Sequence, residues 1–193
     1  MKLLHIDSSI LGENSASRQL SQEIVARWKA AVPALHVTYR DLHGEALPHF
    51  SGRSLARADA KENALNAQAL EDFLGADVIV VGAPMYNFGI PSQLKAWIDR
   101  IVVAGKTFRY TASGPEGLAN GKQVIVALSR GGVYAPGAAG EFAESYLKFV
   151  FGFVGVQDMT FVRAEGLALS AEHREKGIRT ALANIMAPQA IAA

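Results

Sequence analysis

Two aromatic residues and an amide lie close together in the nine-residue stretch Ala83–Pro91. The apolar run before it predicts a strand buried on both faces, and the periodic apolar residues after it predict a helix. Open parallel α/β sheets bind ligands at such a junction, where a strand ends and a helix begins. A planar aromatic ligand could stack on Tyr86 or Phe88 while Asn87 contacts its polar edge. An ordinary loop with two surface aromatics is the alternative.

A second stretch, residues 8–17, is rich in serine and lies between a predicted first strand and a predicted helix. Hydroxyl groups and free backbone N–H groups at a helix start, with the positive end of the helix dipole behind them, suit an anion such as phosphate. The serines of this stretch are the candidate ligands. Because the dinucleotide pattern G-x-G-x-x-G is missing, a single phosphomonoester fits better than a pyrophosphate. A serine-rich helix cap without a ligand is the alternative.

A third stretch, Ser129-Arg130-Gly131-Gly132, follows an apolar run that predicts another buried strand. Two adjacent glycines allow backbone N–H groups to approach a ligand closely. A plain glycine turn explains the same residues without a ligand.

Five predicted strands alternate with helices, which indicates one doubly wound α/β domain spanning residues 1–193. We expect a flavodoxin-like parallel sheet of order 2-1-3-4-5 in three α/β/α layers, with a small hairpin inserted at about 106–118, before strand four. In that order strands one, three and four are neighbours. The three stretches that follow them should therefore meet at one edge of the sheet.

Composition excludes several other classes of protein. The chain has 193 residues, a net charge of +1 and no cysteine, so disulfides, thiolate nucleophiles and Cys-ligated zinc are excluded. It has no block of like charge that would suit nucleic acid, and its five histidines show no metal-ligand spacing. There is no G-x-S-x-G nucleophile motif, signal peptide or apolar run of about 20 residues. We expect a cytoplasmic protein without a metal and without a membrane or nucleic-acid partner.

With these motifs identified, the chain resembles the FMN-dependent NADH-azoreductases of the flavodoxin-like quinone reductase group over nearly its whole length. The most specific motifs are Ala83–Phe88, Thr107–Tyr110 with Gly114–Leu118, and Ser129–Gly132. By this resemblance, one FMN per chain is bound by Ser9, Ser15, Ala16, Ser17, Met85, Tyr86, Asn87, Phe88, Ser129, Arg130, Gly131 and Gly132. Arg130 and the glycine N–H groups would stabilise negative charge near N1 and O2 of the reduced flavin.

The resemblance also implies the reaction. NADH or NADPH would donate a hydride to flavin N5, and quinones or azo compounds would accept it, with no catalytic side chain. Because the Met85–Phe88 loop should cover one face of the ring, both planar reactants must use the other face in turn, so we predict ping-pong kinetics. An apolar slot at that face would also accept nitroaromatics. Phe88, Tyr110 and Phe151 would contact the substrate. The family pattern also implies a homodimer. The predicted helix 141–153 carries more aromatic residues than packing on one face of a sheet needs, so Phe151 would be buried in the dimer interface and would reach the flavin of the partner chain.

Two other classes share the fold. A flavodoxin-type electron carrier would bind the same cofactor without turnover, but such carriers are strongly acidic and the net charge here is near zero. A nucleotide-sensing module would bind a ligand without chemistry and would be colourless, whereas bound FMN would colour the protein yellow.

Overall fold

The computed structural model describes residues 1–135 and 137–188 and contains a five-stranded parallel sheet of order β2-β1-β3-β6-β7. Counted within this sheet alone, the order is 2-1-3-4-5, so the predicted flavodoxin-like topology is confirmed. The sheet strands are β1 (Lys2–Asp7), β2 (His36–Asp41), β3 (Val78–Pro84), β6 (Gln123–Ser129) and β7 (Asp158–Ala164).

Helices cover both faces of this sheet, which gives the expected three layers. They are α1 (Ala16–Ala31), α2 (Gly52–Leu55), α3 (Ala60–Gly75), α4 (Ser92–Ile101), α5 (Ala143–Phe153) and α6 (Ala171–Ala183). Ser15 and Ser170 cap α1 and α6, each by accepting a hydrogen bond from the backbone N–H three residues on. Within the described residues, none of the helices has the length and apolar character needed to cross a bilayer.

Two hydrophobic cores, one on each face of the sheet, hold the layers together. One contains Phe73 and Trp97 of α3 and α4, and the other contains Leu20 and Trp28 of α1. Every residue of the central strand β3 is buried, as its unbroken apolar sequence predicts. The outer strand β2 is partly exposed along its length, as a strand at the edge of the sheet would be. The central strands therefore form a rigid base for the loops at their carboxyl ends.

The predicted hairpin before the fourth sheet strand is present as β4 (Phe108–Thr111) paired with β5 (Gly114–Gly117). It packs on the end of α5, where Phe108 and Phe153 lie with their ring centroids 4.7 Å apart. The close approach requires glycine, because a Cβ at Gly117 would overlap the backbone of Gly155.

The structure corrects the prediction made for Phe151. Its side chain is 1% exposed and lies in the core of its own chain, with its ring centroid 6.4 Å from that of Phe73. The inward face of α5 is formed by Ala143, Leu147, Phe151 and Val154, which recur at helical spacing. The aromatic residues that face outward are instead Phe142 and Phe149, which are 64% and 73% exposed. Phe151 therefore cannot reach a ligand of a partner chain.

Candidate functional site

The three stretches identified in the sequence meet at a cleft at the carboxyl ends of β1, β3 and β6. Their convergence follows from the register of the sheet, because Asp7 pairs with Gly82 and Pro84 pairs with Ser129. The cleft has a volume of about 200 Å³ and is open to solvent on one side. Its lining consists of Ser9, Leu11, Ser15, Ala16, Pro84, Met85, Tyr86, Ser129, Arg130, Gly131, Leu167, Ala168 and Arg174.

Most of the predicted cofactor residues line this cleft, but some of the sequence candidates do not. Ser17 is fully buried behind Ser15, and Gly132 follows the lining residues directly. Asn87 and Phe88 project at the tip of their loop and are exposed. Tyr110 is 76% exposed on the hairpin, outside the lining. Sequence reasoning missed Leu11, Pro84, Leu167, Ala168 and Arg174, of which the last three come from the segment around the start of α6, where no motif marked them.

The serine loop presents hydrogen-bond donors around the first turn of α1. The hydroxyl groups of Ser15 and Ser17 are 3.1 Å apart, and both side chains are almost completely buried. The backbone N–H groups of Ala16 and Ser17 belong to the first turn, where no intrahelical acceptor exists. Together with the helix dipole, these donors can bind an anion.

Tyr86 joins the second loop to the serine loop. Its hydroxyl oxygen lies 3.1 Å from the Ser9 hydroxyl and accepts a hydrogen bond of 3.2 Å from the backbone N–H of Ile10. The two walls of the cleft are therefore fixed relative to each other by one side chain.

The tip of the second loop has an unusual backbone. Tyr86 and Gly89 exchange both backbone hydrogen bonds at 3.0 Å, and the two residues between them, Asn87 and Phe88, have φ values of 47° and 70°. Positive φ at both central residues is the geometry of a type I′ turn, which a bulky residue such as Phe88 adopts only at an energetic cost. The carbonyl oxygen of Phe88 accepts a hydrogen bond of 3.3 Å from the N–H of Phe142, which ties the turn to the start of α5.

A buried ionic network lies beneath the serine loop. Arg18 of α1 binds the carbonyl oxygen of Ser9 and the carboxylate of Asp41, and it donates to the hydroxyl of Tyr39 at 3.0 Å. Asp7, which is completely buried, accepts hydrogen bonds from Ser21 at 2.7 Å and Tyr39 at 3.2 Å. Burial and the charge of Asp7 raise the pKa of Tyr39 to about 12, so it stays a hydrogen-bond donor.

The glycine loop is tied to the segment after β7. The carbonyl oxygens of Arg130, Gly131 and Gly132 accept hydrogen bonds from the N–H groups of Leu167, Ala168 and Gly166, at 2.9–3.1 Å. Among the described residues, neither the N–H of Gly131 nor that of Gly132 donates a backbone hydrogen bond. Both N–H groups are therefore available to a ligand.

The side chain of Arg130 connects the glycine loop to neighbouring elements. The guanidinium group is buried and lies between three carboxylates, at 2.6 Å from Glu144 and 3.2 Å from Glu141 and Glu165. Arg130 therefore holds the glycine loop to the start of α5 and to the segment after β7. Its expected action on the negative charge of a reduced flavin stays a prediction.

Glu144 is the centre of this ionic cluster. Its carboxylate binds Arg163 through two hydrogen bonds, at 2.6 and 2.8 Å, and Lys148 at 2.7 Å. Burial acts to raise the pKa of Glu144, but the hydrogen bonds and charges of Arg163 and Lys148 outweigh it and lower the pKa to about 2.

Arg174 reaches the cleft from the first turns of α6. Its Nη2 donates a hydrogen bond of 2.6 Å to the carbonyl oxygen of Asn14, the residue before the cap of α1. The guanidinium group therefore lies at the rim of the serine loop, although the two segments are 160 residues apart in the sequence.

Comparisons with known proteins agree with this arrangement. The family model described as "Flavodoxin-like fold" matches residues 1–187. A protein of Stenotrophomonas maltophilia named FMN-dependent NADH:quinone oxidoreductase is 53% identical over 193 residues, covering all of this chain and 98% of its own. A Pseudomonas fluorescens protein named FMN-dependent NADH:quinone oxidoreductase 5 is 57% identical, with 96% of each chain covered.

Solved structures give the same result. An azoreductase from Bacillus anthracis superimposes with a TM-score of 0.85 at 32% identity, with 96% of each chain covered. A second B. anthracis protein, an FMN-dependent NADH-azoreductase in complex with FMN, has a TM-score of 0.83 at 25% identity, covering 95% of this chain and 97% of its own. The resemblance inferred from the sequence is thereby confirmed at the level of the family. The chain belongs to the flavodoxin-like family that contains these quinone oxidoreductases and azoreductases.

Proposed function

We propose that this protein is an FMN-dependent oxidoreductase that transfers electrons from NADH, or NADPH, to quinones and azo compounds. The observation that carries the proposal is the cleft itself, in which three loops present hydroxyl and N–H donors at its ends and apolar side chains between them. The relatives named FMN-dependent NADH:quinone oxidoreductase support the choice of cofactor and substrate class.

The chemistry of the lining fits FMN. Serine hydroxyls, N–H groups of the α1 start and Arg174 surround one end, and among the described residues that line the cleft there is no aspartate or glutamate. This donor set suits a phosphate monoester. Pro84, Met85 and Leu167 give apolar walls for a planar ring, and the free N–H groups of Gly131 and Gly132 suit its polar edge.

We assign the residues accordingly. Ser9, Ser15, Ala16 and Ser17 hold the phosphate, the last chiefly through its backbone N–H because its hydroxyl binds that of Ser15. Met85, Tyr86, Asn87 and Phe88 wall the ring. Ser129, Gly131 and Gly132 bind its polar edge, with Arg130 in a positioning role. When bound, FMN supplies the redox chemistry by accepting a hydride from the nicotinamide donor and delivering it to the acceptor.

No side chain of the lining is needed as an acid or base in this proposal. The chain excludes water from the apolar part of the cleft, orients the planar reactants against Met85 and Phe88, and provides N–H donors where negative charge develops. Because one cleft receives both reactants, we expect NADH and the acceptor to bind in turn. An apolar slot with few polar contacts selects flat molecules broadly, so nitroaromatics are included among the acceptors.

We also infer a homodimer. Tyr110, Phe142 and Phe149 are between 64% and 76% exposed, and Phe88 at the edge of the cleft is 56% exposed. Clustered exposed aromatics are typical of interaction surfaces. A twofold interface at this face would bury them and would bring Phe142 and Phe149, rather than Phe151, toward the partner. Sedimentation at micromolar concentration should show two chains per particle, and a fully active monomer would contradict the inference.

Two measurements test the function. The visible spectrum of the purified protein should show a flavin that bleaches anaerobically with NADH, and NADH oxidation with a quinone should need no partner protein. A yellow protein without turnover would favour an electron carrier, and a colourless one that cannot be loaded with FMN would favour a nucleotide sensor.

The order of binding is tested separately. Initial rates with NADH varied at several quinone concentrations should give parallel double-reciprocal lines. Intersecting lines would contradict the alternating order. We also propose that the protein is cytoplasmic, where NADH is available. Residues 1–193 form one domain in this proposal.

A further inference from the structure

We propose that Arg174 of α6 contacts the phosphate of the bound flavin and makes the site selective for a phosphorylated flavin. This inference rests on the proposed function, because it assumes that the phosphate lies at the serine loop. None of the sequence motifs pointed to Arg174, which lies far from the three loops in the chain.

The position of Arg174 is set by two hydrogen bonds. Its backbone N–H donates to the carbonyl oxygen of Ser170, the cap of α6, at 3.0 Å, and its Nη2 donates to that of Asn14 at 2.6 Å. Asn14 directly precedes Ser15, and Arg174 lines the cleft together with Ser15 and Ala16. The guanidinium group is therefore held beside the donors of the α1 start.

The charge of Arg174 is not compensated by a carboxylate. Within residues 1–135 and 137–188, its guanidinium group has no ion pair within 4.0 Å, whereas Arg130, the other cation of the lining, lies between three glutamates. Among the described residues, the guanidinium group makes one hydrogen bond, to the carbonyl oxygen of Asn14. A guanidinium group has five N–H donors, so others remain to bind a phosphate oxygen.

The chemistry of the site gives this cation a specific role. Neutral hydroxyl and N–H groups bind a phosphate dianion, but they carry no net charge, and a phosphate ester brings a charge of about −1.5 to −2 at neutral pH. A charged donor such as Arg174 at the rim of the site makes a hydrogen bond to phosphate that is roughly twice as strong as one from a neutral donor. The serines alone would give a moderate preference for a flavin with a phosphate over one without it, and Arg174 would increase that preference.

A purely structural role is the competing explanation. In that case Arg174 only ties α6 to the loop before α1 through the Asn14 carbonyl. The two explanations differ in what they predict for riboflavin, which has the same ring system as FMN but no phosphate. Loss of a structural contact would weaken the binding of both flavins alike, whereas loss of a phosphate contact would weaken the binding of FMN alone.

The test is the affinity of the apoprotein for FMN and for riboflavin, measured by quenching of flavin fluorescence. Arg174→Gln should weaken FMN binding by about ten- to a hundredfold and change riboflavin binding by less than about twofold. Arg174→Lys should keep part of the FMN preference, because it keeps the charge without the planar fork. Arg179→Gln, an exposed arginine on the same helix, is the matched control and should change neither affinity.

The outcomes separate this inference from the proposed function. If the wild type binds riboflavin as tightly as FMN, the phosphate assignment of the serine loop is wrong. If the wild type binds FMN more tightly than riboflavin and Arg174→Gln keeps that difference, the inference about Arg174 is wrong and the phosphate assignment of the serine loop stands. Equal losses for both flavins in Arg174→Gln would also overturn the inference about Arg174 and would identify the arginine as a structural tie.

Discussion

Arg18 donates two hydrogen bonds to the carbonyl oxygen of Ser9, from Nε at 3.3 Å and from Nη2 at 2.8 Å. The same guanidinium group is 2.6 Å from the carboxylate of Asp41 and 3.8 Å from that of Asp7. A side chain of α1 thus fixes the backbone of the loop that precedes α1. Because the carbonyl oxygen of Ser9 is bound in this way, the orientation of its hydroxyl depends on an ionic network whose charged side chains are not part of the cleft lining.

We expect Arg18→Lys to weaken FMN binding by about five- to tenfold, because an ammonium group cannot donate two bonds to Ser9 and a third to Asp41 from one plane. Flavin fluorescence titration measures the effect. Arg27→Lys is the matched control, since Arg27 lies on the same helix and binds the carbonyl oxygens of Leu182 and Ile185 away from the cleft. Equal FMN affinities in the two variants would contradict the positioning role.

A second prediction concerns the hydroxyl of Tyr86. Tyr86→Phe keeps the aromatic wall but removes the link to Ser9 and Ile10. A net hydrogen bond contributes about 0.5–1.5 kcal/mol, so FMN affinity should fall about two- to tenfold while quinone specificity stays the same. Tyr110→Phe, which changes an exposed tyrosine on the hairpin, should leave FMN affinity unaltered. A Tyr86→Phe protein with wild-type affinity would show that the loops are held together by other contacts.

The fold and the three ligand loops could be predicted because their signals are local. Apolar runs and helical periodicity identify each sheet strand, and Ser15 and Ser170 stand directly before the helices they cap. Once the strand order is fixed, the convergence of the loops is a geometric consequence. Strand β3 shows the limit, since the apolar run that predicts it stops before Ala83 whereas the strand continues to Pro84.

The remaining features depend on pairings that no local pattern contains. Arg174 meets Asn14 from 160 positions away, and Arg130 meets carboxylates from α5 and from the segment after β7. The error for Phe151 has a similar cause. Two aromatic stripes are possible on α5, and only the packing of Phe151 against α3 decides which of them is buried.

That packing predicts a contrast between two phenylalanines of one helix. Phe151→Ala should lower the free energy of unfolding by about 3–5 kcal/mol, because it leaves a cavity beside Phe73 in a closed core. Phe149→Ala should change the stability of the chain by less than about 0.5 kcal/mol, because this side chain is exposed. Urea unfolding at one fixed protein concentration measures both. A small effect of Phe151→Ala would contradict its assignment to the core.

The last prediction concerns Glu144 and the dependence of stability on pH. Its pKa in the folded protein is about 2, below the usual value of 4.5, because Arg163 and Lys148 stabilise the carboxylate against the effect of burial. A lowered pKa means that the folded state binds the proton more weakly than the unfolded state. The ionised carboxylate therefore stabilises the fold above about pH 4.5, and this contribution is lost as the pH falls toward 2. The separation of the two pKa values sets its size at about 3 kcal/mol at most.

We therefore expect Glu144→Gln to be less stable than the wild type at pH 7 by on the order of 2–3 kcal/mol, and the difference to shrink steadily between about pH 5 and pH 2.5. Urea unfolding of both proteins across this range gives the measurement, and subtracting the two curves removes the titration of the other carboxylates. Glu116→Gln serves as control, because Glu116 forms an exposed ion pair with Arg109 on the hairpin and should give a difference near zero at every pH. A stability difference for Glu144→Gln that stays constant with pH would show that the lost side chain matters through packing and not through its charge.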